Sequence, residues 1–128
     1  MPKIIIKTPQ APLPIGPYNQ AVKIGNLIYA SGQIPIEVGT NAVCSGGITE
    51  QTRLVLTHVK TILAAAGSSL AQVVKATVFL KDMNDFSQMN AVYSEFFDAA
   101  AAPARSTIQV ARLPKDAAVE IEVVATVD

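Results

Sequence analysis

The chain has 128 residues, half of them hydrophobic, and ten Lys plus Arg balance ten Asp plus Glu, so its net charge is zero. That balance gives no electrostatic ground for nucleic acid, an anionic membrane or an acidic partner. Charged residues make up only 16%, against roughly 25% in ordinary soluble domains, so part of the surface is expected to be covered by copies of the same chain.

The length suits a single domain over residues 1–128. Cys44 is the only cysteine, so no intrachain disulfide can form, and a reducing compartment fits. No apolar run approaches a membrane span, and the one near the start is too short for a signal peptide. The expectation is a soluble, cytoplasmic protein.

In chain order, "KIIIK" predicts a short strand, closed by the proline-rich "TPQAPLPIGPY". "QAVKIGNLIYASGQIP" reads as two strands about the turn pair Gly25-Asn26. "IEVGTNAVCSGG" is a loop. From Ile48 to Ala66 the period becomes helical: Val55, Val59, Ile62 and Ala66 share a face, with Thr49 the expected N-cap and Gly67 the stop. "VVKATVFLK" is β-branched and predicts a buried strand. "NDFSQMNAVYSEFF" carries Phe86, Met89, Tyr93, Phe96 and Phe97 at helical spacing, with Asn84 as expected cap. After Pro103 come two strands separated by "ARLPKDA". The order β-β-β-α-β-α-β-β predicts an α+β fold: one sheet, two helices on one face, and a second face for oligomer contacts.

One His and one Cys cannot make a Cys/His metal cluster, and the carboxylates lack calcium-loop spacing. No metal or cofactor is expected. His58 reads as a packed or surface histidine, and Cys44 lies in a loop with no local partner to activate it. The glycine stretches lack phosphate-loop spacing.

Chemistry concentrates in the last two strands. With period two, Arg105, Thr107 and Gln109 project to one face of their strand, and Glu120 and Glu122 to one face of theirs. A guanidinium on a rigid strand can clamp a carboxylate with two parallel bonds. A half-buried glutamate beside it can act as a general base. The alternative is that Arg105 and one glutamate form a structural ion pair on a solvated face. Tyr18, after "IGP", is either a phenol facing a cleft or a rim residue. Ser31 and Gly32 end a strand, where Gly32 either admits a ligand to the backbone or marks a bulge.

Together "APLPIGPYNQAV", "IYASGQIP", the long stretch from "GITEQTR" to "YSEFF", and "PARSTIQVARLPKDAAVEIEVVA" resemble the RidA/YjgF family over the whole chain. The resemblance implies a chorismate-mutase-like trimeric barrel with clefts between subunits. It also implies hydrolysis of small enamino and imino acids (2-aminoacrylate, 2-iminopropanoate, 2-iminobutanoate) to keto acids and ammonia, without cofactor. Arg105 would hold the substrate carboxylate and Glu120 the attacking water, with Tyr18, Ser31, Gly32, Asn90 and Thr107 lining the cleft. Two departures stand out: Thr107, where many relatives carry cysteine, and Ala102, where relatives often carry an aromatic residue. The competing readings are a module that binds small carboxylates or partner proteins without catalysis, and an RNA-directed ribonuclease or translation inhibitor.

Overall fold

The computed structural model describes residues 1–128 and contains six strands and two helices in the predicted order. They are β1 (Ile4–Ile6), β2 (Ala21–Ile24), β3 (Leu27–Gln33), α1 (Ile48–Ala65), β4 (Val73–Leu80), α2 (Phe86–Phe96), β5 (Ala104–Gln109) and β6 (Val119–Thr126). The strands form one mixed sheet in the order β1-β2-β3-β6-β4-β5. Every neighbouring pair is antiparallel except β4–β5, which the α2 crossover makes parallel.

β6 is the central strand. Its alternation puts Val119, Ile121, Val123 and Ala125 under the helices, all nearly inaccessible, while Glu120 and Glu122 face the other way. Ile28 from β3, Ala76, Val78 and Leu80 from β4, and Val55, Leu56, Val59, Ile62 and Leu63 from α1 complete the core with Met89 and Tyr93 of α2. The helices thus cover one face only. The opposite face leaves Ile5, Ile24, Tyr29 and Ile108 exposed.

Two expected caps are displaced. α1 starts at Ile48 with Gly47 as its N-cap, and Thr49 lies inside the first turn. The Glu50 carboxylate accepts the Gly47 N–H at 2.8 Å, so the box closes from the acidic side and a Thr49 hydroxyl is not needed. Asn84 does not cap α2 either: it lies in a 3₁₀ turn, Met83–Asp85, and donates its own N–H to the Asp82 carboxylate at 2.9 Å. Gly67 ends α1 as expected, with φ of +83°.

His58 is buried on α1, with Nε2 2.7 Å from the Ile36 carbonyl. Burial lowers its pKa, against the raising effect of that bond. The neutral ring donates from Nε2 and ties the loop after β3 to the helix layer. Cys44 is half-buried, and burial, then Glu37 and Glu50, raise its pKa, so it stays a thiol.

Candidate active site

The β3–β6 ladder carries a bulge between Ala30 and Gln33, where Ser31 and Gly32 swell out of register. Ser31 is held there twice: its N–H donates to the Gln20 carbonyl at 2.9 Å and its hydroxyl to the Asn19 carbonyl at 2.6 Å. The bulge makes room for a side chain from β6. A Cβ on Gly32 would overlap the Glu120 carboxylate and lie 2.9 Å from its Cδ. Gly32 therefore marks a bulge, the second of its two readings, and the group that approaches its backbone is the Glu120 carboxylate.

Glu120 is half-buried, and burial raises its pKa, with the nearby Glu122 charge adding to the effect. No Lys or Arg nitrogen lies within 4.0 Å of it. It shares a concavity of about 460 Å³ with Tyr18, Ser31, Gly32, Ile34 and Glu122. Tyr18 is anchored at the rim, its hydroxyl accepting the Ile15 N–H at 3.2 Å.

Arg105 stands elsewhere. In the parallel β4–β5 ladder it pairs with Ala76, and Thr107 with Val78, both β4 residues being fully buried under the helices. Residues directly paired across a ladder share a face, so Arg105 and Thr107 lie on the helix side of the sheet. Glu120 and Glu122 pair with Phe79 and Thr77 and lie on the open side. Within one chain the two key residues do not share a face, and β4 separates their strands. The structural ion-pair alternative fails too: the two ion pairs present are Arg53–Glu95 and Lys81–Asp116.

The guanidinium has aromatic company instead. Its Cζ lies 4.5 Å from the Tyr93 ring centroid and 5.6 Å from that of Phe86, within cation–π range. No carboxylate lies within 4.0 Å. The group fronts a second concavity of about 380 Å³, shared with Asn90, Tyr93, Ala99, Ala102 and Pro103. In the sequence Phe86 and Tyr93 stand out only by their helical spacing. The helical spacing carried no sign that they would meet Arg105, which lies on another element. The hydroxyls of Tyr93 and Thr107 are buried with no hydrogen-bond partner.

One face thus offers a free cation on an aromatic platform, the other a free carboxylate of raised pKa at a backbone bulge. A family model described as Endoribonuclease L-PSP matches residues 8–127. The chain belongs to the RidA/YjgF family. A RutC family protein of Pyrococcus abyssi is 53% identical over 125 residues, 98% of each chain. A 2-iminobutanoate/2-iminopropanoate deaminase of Dermatophagoides farinae is 46% identical, over 99% of this chain and 98% of its own. The crystal structure of Escherichia coli TdcF with bound serine superposes with a TM-score of 0.91 at 46% identity, covering 98% and 99% of the two chains. These RidA/YjgF relatives match over nearly the whole of both chains, and the fold is shared with them. No helix is long and apolar enough to cross a membrane.

Proposed function

We propose that this protein hydrolyses small 2-imino acids, and the 2-enamino acids that tautomerise to them, to 2-keto acids and ammonia. The carrying observation is Arg105: a guanidinium lying over the Tyr93 ring, paired with no carboxylate and fronting an open cavity. A charge so placed suits an acid anion from solution, with two parallel charge-assisted bonds.

Catalysis also needs a base, and in one chain Glu120 faces the other way. The reading therefore places the working cleft between copies, with Arg105, Asn90 and Thr107 from one and Tyr18, Ser31, Gly32 and Glu120 from the next. The apolar open face, with exposed Tyr29 and Ile108, supports such packing, and a closed ring of three is the form proposed.

In that cleft Arg105 fixes the carboxylate and so the imine carbon. With the imine nitrogen protonated, Glu120 takes a proton from water as the water oxygen bonds to the imine carbon and the C=N electron pair moves to nitrogen, giving a neutral carbinolamine. Glu120 passes that proton to the nitrogen, the C–N bond breaks, ammonia leaves, and the carboxylate takes the hydroxyl proton as the carbonyl forms. A raised pKa makes Glu120 a better proton acceptor near neutrality. Orientation supplies much of the remainder.

A ribonuclease reading, suggested by the family model's description, has less support: the net charge is zero, which gives no electrostatic ground for a phosphate backbone, and the sole histidine is buried against the Ile36 carbonyl. The test is a coupled assay in which a serine or threonine dehydratase generates the imine and its ultraviolet absorbance is followed. Faster decay on adding the protein, abolished by Arg105→Ala, supports the deaminase. Unchanged decay with a correctly assembled protein removes it.

A further inference from the structure

Between β1 and β2 the chain passes through Pro9, Pro12, Pro14 and Pro17. Proline has no N–H to give a strand ladder, so this span leaves the sheet after Ile6 has paired with Ala21 and arches away. The carbonyls near the start of such an arch need donors from elsewhere.

One side chain supplies them. Gln20 is only 2% exposed. Its Oε1 accepts the Thr8 N–H at 2.8 Å, and its Nε2 donates to the carbonyls of Thr8 at 3.0 Å, Ala11 at 3.3 Å and Pro12 at 2.8 Å. The two bonds to Thr8 imitate a ladder step with a side-chain amide. An oxygen facing an N–H and a nitrogen facing three carbonyls leave the amide a single orientation.

The far end of the arch carries Tyr18. Its N–H donates to the Gly16 carbonyl at 2.9 Å, and its hydroxyl holds the Ile15 N–H. Gln20 also holds the bulge of β3, because its backbone carbonyl accepts the Ser31 N–H at 2.9 Å. Arch and bulge close on a space of about 40 Å³ bordered by Pro12, Tyr18, Gln20 and Gly32, room for only a few waters. The rim tyrosine and the glycine crossed by the Glu120 carboxylate are therefore both set from one buried residue.

We infer that Gln20 is a positioning residue: its amide clamps the arch and so holds Tyr18 at the mouth of the concavity that contains Glu120. The inference rests on the deaminase reading and adds to it a residue that acts only through another.

Gln20→Met keeps the length of the side chain and removes all four bonds. Gln20→Asn keeps an amide but draws it back by one methylene, out of reach, and serves where the methionine variant fails to fold. In either, the amides of Ile15 and Tyr18, neither of them bonded to Gln20, should exchange with solvent at least about tenfold faster by NMR, while those of β4 and β6 keep their rates. The kcat/KM for imine hydrolysis should fall by roughly 10- to 10²-fold. In a Tyr18→Phe background the same Gln20 substitution should cost little more, since a residue that works through Tyr18 cannot add to its loss.

Wild-type exchange rates at Ile15 and Tyr18 in a folded variant overturn the inference. So does an equal loss of activity with and without the Tyr18 hydroxyl, which would make Gln20 a stabilising residue and nothing more. Failure of both variants to fold, read by circular dichroism, assigns Gln20 to the fold and overturns it as well. If wild type hydrolyses no imine faster, the deaminase reading falls separately. Amide exchange and calorimetric binding of 2-oxobutanoate, expected to weaken in both variants, then decide the clamp alone.

Discussion

The carboxylate of Glu120 occupies the space that a Cβ on residue 32 would fill. Glycine at that bulge is what lets a side chain from β6 lie across β3. Glutamate and glycine are 88 positions apart in sequence, and the contact exists only because β6 pairs with β3.

Gly32→Ala should therefore displace the proposed base while leaving the fold intact. The residue has an ordinary negative-φ backbone, being absent from the positive-φ glycines, so alanine brings collision rather than backbone strain. A displacement of about 1 Å can cost on the order of 10²-fold in rate. Imine decay should slow to that degree, with a melting temperature within a few degrees of wild type. An active Gly32→Ala protein would show that Glu120 is not held there for catalysis.

Arg105→Ala should abolish substrate capture at little cost to stability. The guanidinium makes no ion pair, so its removal forfeits mainly the aromatic contact, about 0.5–2 kcal/mol. Two charge-assisted bonds at ~1.5–3 kcal/mol each imply a fall in kcat/KM of roughly 10²–10⁴-fold. Arg105→Lys should restore only part, since an ammonium cannot fork onto a carboxylate. Full activity in the lysine variant would contradict the bidentate clamp.

The pH profile should carry the mark of Glu120. The base must be ionised, and burial first, then Glu122, raise its pKa. Activity should thus fail, as pH drops, above the range of an ordinary glutamate. Glu122→Gln removes the second cause alone and should move that acid limb to lower pH, though not fully to the ordinary value. A limb that stays in place would separate the titration from this pair.

Mixing tests the shared cleft. Arg105→Ala and Glu120→Gln proteins should each be inactive. Unfolded together in equal amounts and refolded, they should recover about a quarter of wild-type activity, because a cleft drawing one residue from each of two copies is intact in one pairing of four. No recovery, with trimers formed, would place both residues' work within a single copy.

His58 should make stability fall in mild acid. Its folded pKa is lowered by burial, so the unfolded chain takes up the proton first. The histidine's contribution is full above the unfolded value near ~6.5 and is lost as pH drops through the lower folded one. Thermal melts between neutral pH and mild acid should show this loss. His58→Asn, which can still donate to Ile36, should flatten it. Glu120 acts in the opposite sense, so an unflattened slope in that variant would assign the pH dependence elsewhere.

Much of this was legible in the residues. Hydrophobic period separated strands from helices, Gly25-Asn26 and Gly67 marked a hairpin and a helix end, and the Val119–Val123 alternation turned Glu120 away from the core. The covered face of β5 was not legible: Arg105 and Thr107 alternate with Ala104, Ser106 and Ile108, and it is Arg105 and Thr107 that lie on the helix side. β5 is an edge strand, and the concavity at the end of α2 leaves room there for a guanidinium.

The order of elements, the low charge and the residue types available for chemistry were thus fixed along the chain itself, because each depends on neighbours a few positions apart. Tertiary structure alone put β6 beside β3 and β4 between β6 and β5, sending Arg105 and Glu120 to opposite faces. Local period tells which side chains of a strand point together. Strand neighbours and the covered face are settled by the burial of apolar surface across all the elements at once.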